Sequence, residues 1–560
     1  MDHRLLVAAL GALLMSAPGH AVTTLALRPG MPELSGGDVP ALWAEVPDAD
    51  LVARDLTVTP AVPYRWVFAP GETIALTASA QTAGRVALTI WDWERRPVAR
   101  QEFAAPFTEE LHFEVTGRGT YLLTLDRFAG EECQARLARS FAVCPPNEDR
   151  RDLWRQSAFQ PGCCSFPGRQ HWTNAFGPAH PSGITEQQAA ELDAELSARL
   201  GLVLVRPDLP VTWTAPDQPL DFSRADWAVR AFTSRGFKLA LQVGFPGEAD
   251  WALMPQYQGV NDPKWRYPRR EEVVRRFTRE VVERYAADTA FVEVYNEPDN
   301  ADFWRGTVDE FVATHHWIAE EVQQVAPGLP VLSGGLCLMD PERTGLIARG
   351  IADAVDGVGY HSHGGVDVLQ ATLTAMRATH AAAGYERPVF YNTEMGFANW
   401  RLDMERAAAA TAVQKLLYCW AHGNRAGLLY CSRDIGGPRT SAKDWGYLDH
   451  FMCPRFTYGA VAAFVDAYAG ATFERTLTEA NGLYAYVLRR GDAWLVPVFV
   501  GSDYPRSVAI ETDALAASLL DPMGNAVPVA LVEGRLTVTA GYYPTTLILE
   551  GSATVRLSDG

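Results

Sequence analysis

Phe237-Lys238-Leu239-Ala240-Leu241-Gln242-Val243 leads, through a charged stretch at Glu271 to Ala286, to Ala290-Phe291-Val292-Glu293-Val294-Tyr295. The two ends are continuous apolar runs of the kind that form strands buried on both faces. Between them Val273, Val274, Phe277, Val281, Val282 and Tyr285 recur at helical spacing, with Arg and Glu in the intervening positions. That pattern predicts an amphipathic helix. Strand, helix, strand is the unit of a parallel sheet, because parallel neighbours need a long crossover.

The alternation continues in both directions. Gly201-Leu202-Val203-Leu204-Val205 precedes a helix pattern around Asp226 to Ser234, and a long helix pattern runs from Val308 to Val325. Further strands are read at Val331-Leu332-Ser333, Gly357-Val358-Gly359-Tyr360, Pro388-Val389-Phe390-Tyr391 and Gly427-Leu428-Leu429-Tyr430. A first strand near Gln170 to Ala175 completes eight units. Eight units over about 300 residues predict a (β/α)8 barrel. A doubly wound open sheet is the rival, but no Gly-rich dinucleotide loop follows the first strand.

The flanks read differently. Thr73-Ile74-Ala75-Leu76-Thr77, Val86 to Trp91 and Thr120 to Leu125 alternate with period two, which predicts an N-terminal β-sandwich over 22–148. Pro145-Pro146-Asn147 marks its boundary with a barrel over 165–465. Strand patterns at Leu483 to Arg489, Trp494 to Val500 and Thr545 to Leu549 predict a small all-β domain over 470–560. Residues 1–21 read as a signal peptide, with Arg4, an apolar stretch from Leu5 to Met15, and an exit ending near Ala21. The expectation is a secreted or periplasmic protein, because about eleven apolar residues are too few to span a bilayer.

A formal charge of −18 argues against nucleic acid as a partner, which needs clustered Lys and Arg. No second segment reads as a membrane span. Eight cysteines allow disulfides in an exported chain, and Cys133 with Cys144 is the expected pair. None has zinc-type spacing, so no metal and no organic cofactor is expected. No oligomeric state is read from the sequence.

Barrel enzymes place their chemistry where strands end, at the C-terminal face. Two segments carry an acid there: Val294-Tyr295-Asn296-Glu297-Pro298 after the fourth strand and Tyr391-Asn392-Thr393-Glu394-Met395-Gly396 after the seventh. Strands four and seven face each other across a barrel, so the carboxyls can converge. Two carboxyl groups about 5–5.5 Å apart suit double-displacement hydrolysis of a glycosidic bond.

These motifs resemble clan A of the glycoside hydrolases, with Val294 to Asp299 and Asn392 to Gly396 most similar to family 39 and its neighbours, and family 5 more distant. The resemblance covers the barrel, roughly 165–465. It implies a retaining O-glycosyl hydrolase with Glu297 as acid/base, Glu394 as nucleophile, and Asn296 donating to the hydroxyl beside the anomeric carbon. It implies a carbohydrate substrate and a role in polysaccharide degradation. Arg206, in Val205-Arg206-Pro207-Asp208, resembles the clan's Arg that holds the nucleophile. His361 follows strand six, where relatives carry a His two residues before a Tyr; here Tyr360-His361-Ser362-His363 puts His363 in that place.

His171, Trp172 and Asn174 are candidates to line the sugar pocket. Trp251, Trp265, Trp304, Trp400 and Trp445 are candidate stacking platforms, since a pyranose face suits a flat apolar partner. After strand eight comes Tyr430-Cys431-Ser432-Arg433-Asp434, where many relatives have a Trp, and Arg433 is a candidate partner for an acidic sugar. A carbohydrate-binding barrel without activity, and a transglycosylase using the same covalent intermediate, are the alternatives.

Overall fold

The computed structural model describes residues 22–24, 55–167, 184–244, 247, 249–385, 388–398, 402–434, 445–501, 504–551 and 554–558. The chain divides into two compact units, Met1–Val143 and Cys144–Gly560.

The first unit is a seven-stranded sheet. Its longest strand, Thr73–Trp91, pairs through its first half with Leu56–Pro60 and along its second half with Gly119–Ala129. The register breaks between Ala80 and Gly84, where Gly84 takes a positive φ of 151°. A break with a glycine bends a strand, and here it separates the part that pairs with Leu56–Pro60 from the part that pairs with Gly119–Ala129. Ile74, Leu76, Val86, Leu88, Leu123, Leu125 and Phe141 fill its core, on the period-two alternation read from the sequence.

The second unit holds the barrel. Its strands are β1 (Gln160–Ser165), β2 (Leu204–Pro207), β3 (Lys238–Val243), β4 (Thr289–Val294), β5 (Val331–Leu332), β6 (Val358–His363), β7 (Phe390–Gly396) and β8 (Ala426–Leu429). All pairs are parallel, in the order β5-β4-β3-β2-β1-β8-β7-β6. The remaining gap between β5 and β6 is bridged at Leu332–Gly357 and Leu336–Tyr360. Each strand is followed by a helix: α1 (Glu186–Arg199), α2 (Ser223–Thr233), α3 (Glu271–Tyr285), α4 (Val308–Val325), α5 (Pro341–Gly350), α6 (Val366–Ala382), α7 (Leu402–Ala421) and α8 (Phe456–Tyr468).

Local chemistry accounts for these boundaries. Thr185 with Gln188 and Thr307 with Glu310 form reciprocal capping boxes that satisfy the first N–H groups of α1 and α4. Asp340 caps α5, with a proline at its start. On α3 the buried residues include all six expected apolar positions.

The first strand is the correction. It was expected at Gln170 to Ala175, which lies outside the described residues; the ring is instead joined by Gln160-Pro161-Gly162-Cys163-Cys164-Ser165, paired on both sides. Pro and Gly lower strand propensity and hide such a strand from pattern reading. Gly162 is needed where it stands, since a Cβ there would lie 2.6 Å from the Leu204 carbonyl oxygen.

Beyond α8, a six-stranded and a three-stranded antiparallel sheet form the C-terminal domain. Val487, Val496, Val498, Ile510, Leu536, Val538, Leu547 and Leu549 make its core. All eight cysteines are free thiols, so the expected Cys133–Cys144 bridge does not form. Cys133 stands near one end of the strand Glu132–Val143 and Cys144 follows the other, which separates them by roughly 35 Å at a strand's rise per residue. Among the described residues no helix is long and apolar enough to cross a membrane.

Candidate active site

The site lies at the C-terminal ends of β2, β4, β6 and β7. The chain leaves β4 with Tyr295 and Glu297 both at positive φ, 68° and 45°. Non-glycine residues hold such angles only where their surroundings compensate the cost. Here the compensation is visible: the Tyr295 ring sits against Gly244, where a Cβ would lie 2.6 Å from Cδ2, and Glu297 N–H donates to the Gly335 carbonyl at 3.0 Å. The turn presents Glu297 at the mouth, 9% exposed, opposite Glu394 of β7, 7% exposed.

Arg206 at the end of β2 joins the acids. Its Nη1 donates to Glu394 Oε1 at 2.5 Å, Nε to Glu293 Oε2 at 2.6 Å and Nη2 to Asn296 Oδ1 at 2.7 Å. Gln242 Nε2 also donates to Asn296 Oδ1, at 3.3 Å. With its oxygen committed, Asn296 has its amide N–H pair left to offer. Across the site His361 Nδ1 is 2.9 Å from Glu297 Oε1 and 3.6 Å from Glu394 Oε2. His363 Nε2 lies 3.5 Å from Glu394 Oε2, so both histidines of β6 face that carboxylate. Asn300 Nδ2 donates to Glu297 Oε2 at 3.0 Å.

These contacts set the charges. Burial pushes Glu394 up, but the charges of His361, Arg206 and His363 outweigh it and hold the carboxyl far below its ordinary value. Burial and the negative charge of Glu394 push Glu297 up, while the hydrogen bond and charge of His361 and the Asn300 donor bring it below its ordinary value. Burial lowers His361, and Glu394 and Glu297 raise it above 6.5. Each of the two raises or lowers the other, so Glu297 and His361 titrate as a pair. One ligand atom each from Glu297, His361 and Glu394 lie within 4.8 Å of one another, close enough to hold a metal ion. The Arg206 guanidinium already on Glu394 opposes a second cation there.

This barrel is shared with known glycoside hydrolases. Its fold is similar to that of a family 39 glycoside hydrolase from the gut symbiont Bacteroides cellulosilyticus WH2, with a TM-score of 0.66 and 16% identity over 88% of this chain and 100% of that one. A family 39 β-xylosidase from Caulobacter crescentus aligns with a TM-score of 0.48 and 16% identity, over 70% of this chain and 96% of that one. No family model and no curated protein matches the sequence.

Of the residues singled out in the sequence, Glu297, Glu394, Asn296, Arg206, His361 and His363 come together. Tyr430 stands beside them: its ring is 5.4 Å from His363, and Trp445 lies 5.0 Å from His363 and 5.8 Å from Tyr430. Trp445 packs over Gly396, where a Cβ would meet its ring at 2.7 Å. Arg433 does not join them. It is 3% exposed, and the charge that acts on it most strongly is that of Asp193, in a buried network with Ser165, Ser197 and Ser432. Trp304 is a core residue, 1% exposed, against Tyr295 and Phe311. Trp251 packs on Trp213, and Trp265 on Phe303. His171, Trp172, Asn174 and Trp400 lie outside the described residues.

Sequence reading missed Glu293, Gln242, Thr393 and Asn300. Glu293 carried a signal, a charge inside an apolar run, since buried carboxylates are almost always paired. It is fully buried, held by Arg206 and by the Thr393 hydroxyl.

Proposed function

We propose that this chain is a glycosidase that cleaves O-glycosidic bonds with retention, Glu394 attacking and Glu297 acting as acid and then base. The observation that carries the reading is that Glu297 and Glu394 face each other at the barrel mouth with one oxygen of each within 4.8 Å of the other, which favours the closer of the two carboxyl spacings such enzymes use. Inverting enzymes need about 6.5–9.5 Å between the carboxyls to seat a water, and retaining ones about 5–5.5 Å. The likeness to glycoside hydrolase folds agrees with it.

The charges suit the two steps. Glu394 is held ionised by Arg206 and the two histidines, so it can attack the anomeric carbon while the Glu297–His361 pair delivers its proton to the leaving oxygen. Attachment of the sugar removes the Glu394 charge, one of the influences raising Glu297. Glu297 then falls in pKa and accepts the proton of the incoming water, as double displacement requires. Asn296, with its oxygen anchored, donates to the hydroxyl next to the reacting carbon. We further propose that residues 1–21 direct export; the mass of the mature protein from the culture medium tests it, and an intact N-terminus overturns it.

The test is a panel of aryl glycosides and of plant and algal polysaccharides, with wild type beside Glu394→Gln. Hydrolysis lost in the variant, with the product's first-formed anomer matching the substrate by proton NMR, supports the reading. Inverted product, or equal hydrolysis by both proteins, refutes it. Glycan binding with no hydrolysis by wild type would make the barrel a binding protein.

A further inference from the structure

Lys415 of α7 is 1% exposed, yet it belongs to none of the groups described above. A buried ammonium is expensive unless it is met by acceptors. Its Nζ donates to the carbonyl of Ser362 at 2.8 Å and to that of Gly396 at 3.2 Å. Ser362 separates His361 from His363. Gly396 is two residues past Glu394, and His363 pairs with Gly396 in the β6–β7 register. One cation thus ties the two strand ends that carry both histidines and the nucleophile. Beside it a cavity of about 20 Å³, lined by Thr411, Tyr430, Trp445 and Tyr447 among others, has room for one water to take its third hydrogen.

The same turn of α7 is docked from the other side. The Thr411 hydroxyl lies 2.7 Å from that of Tyr542, and Gln414 Nε2 donates to the Val500 carbonyl at 3.3 Å. Tyr542 and Val500 belong to the C-terminal β domain. We propose that Lys415 is a positioning residue of the active site, through which the C-terminal domain keeps the ends of β6 and β7 in catalytic alignment. The inference rests on the glycosidase reading for its kinetic consequences and on the two carbonyl contacts for its structural ones.

The chemistry asks for a cation at this point. Methionine fills similar space but removes the ammonium's hydrogen bonds to both carbonyls, leaving each strand end to the backbone ladder alone. The loss therefore falls on both strand ends that the ammonium joins. Burial brings Lys415 down to about 7. The charged and titratable groups facing it are Cys419 on α7 itself, Asp367 of α6, Tyr430, Cys431 and Tyr447 around the cavity, and His361 and His363 beside Ser362. Above that pH a neutral amine keeps two hydrogens and loses the charge that strengthens both bonds.

The experiment uses the full chain as wild type, Lys415→Met and Lys415→Arg, with the glycoside that wild type hydrolyses in the panel. Lys415→Met should lower kcat at least tenfold while KM stays within twofold. Lys415→Arg should recover most of that loss, and above pH 7 it should hold its kcat better than wild type. Hydrogen exchange of peptides spanning 358–366 and 390–398 should quicken in Lys415→Met alone. A folded Lys415→Met with kcat within twofold of wild type, or the same loss in both variants, overturns the proposal. If Lys415→Met does not fold, Gln414→Ala and Tyr542→Phe loosen the dock from its outer side. Each should lower kcat threefold or more, and unchanged values overturn the proposal. A wild type that hydrolyses nothing rejects the glycosidase reading. Exchange at the two strand ends then decides on Lys415 separately: unchanged exchange in Lys415→Met refutes the clamp.

Discussion

Gly335→Ala is the smallest change that reaches the proton-carrying pair without altering any group in it. A Cβ at position 335 would lie 2.1 Å from His361 Nε2 and 2.6 Å from Cε1. An ordinary contact needs about 3.4 Å or more, so the shortfall is about 1.3 Å. The ring cannot slip outward, because it is 2% exposed and its other edge is 2.9 Å from Glu297 and 3.6 Å from Glu394. Whether it shifts or rotates, Nδ1 is displaced by about 1 Å relative to Glu297. A misplacement of that size costs about a hundredfold in rate, or about 2.7 kcal/mol of barrier. Overpacking adds about 1–3 kcal/mol of destabilisation. The assay is kcat and KM on the hydrolysed glycoside, with near-ultraviolet circular dichroism to confirm the fold. Gly345→Ala on α5 is the control, since its Cβ meets nothing nearer than 3.8 Å; it should leave kcat unchanged. A folded Gly335→Ala enzyme with kcat within threefold of wild type would refute the role given to His361.

The other predictions can be checked alongside it. The descending limb of the wild-type kcat/KM profile should lie above pH 6.5, because the pair's proton is held by a raised His361. In His361→Asn, which keeps a donor but stores no proton, that limb should move to lower pH; a limb that stays fixed would assign the proton elsewhere. Arg206→Met removes the cation between Glu293 and Glu394 and should destabilise the protein by about 3–5 kcal/mol at pH 7 in urea unfolding. Glu394 is depressed, so its share of that stability is present above the unfolded carboxyl value and is lost only as pH falls through the lower folded value; a variant within 1 kcal/mol of wild type at pH 7 contradicts the pairing. Thiol titration in guanidinium without reductant should count all eight cysteines, and a count of six would restore a disulfide.

What the sequence made legible follows from how each signal is encoded. The helices were plain because apolar residues repeat along a single element, as on α3, and the strand-end glutamates were plain because they interrupt apolar runs at a fixed place. The barrel's first strand was hidden by Pro161 and Gly162, whose presence depends on its neighbours in the ring. Residues that act across the barrel left weaker marks. Trp445 reaches His363 from the loop after β8, and Lys415 reaches β6 and β7 from a helix. Neither contact can be inferred from spacing, because each joins elements distant in the chain. Arg433 misled for the opposite reason: its position after a barrel strand suggested the cleft, while its neighbours draw it into a buried network.

Glu293 explains why the site is built around one arginine and three carboxylates. A guanidinium beside a lone Glu394 could swing about its long side chain and meet that carboxylate in several poses. Glu293 fixes one edge of the fork through Nε, and Asn296 fixes Nη2, leaving Nη1 directed at Glu394. Glu293 is in turn held by the Thr393 hydroxyl, from the residue just before Glu394. Its carboxylate fits only because β6 carries glycine at 359, where a Cβ would stand 2.8 Å from Oε1. The cluster is therefore closed by residues from β2, β4, β6 and β7, and no one of these strands alone fixes where Glu394 points. A second buried anion weakens the hold of Arg206 on Glu394. That weakening suits the attacking role proposed for Glu394, which would have to leave its partner's charge behind on bonding to carbon.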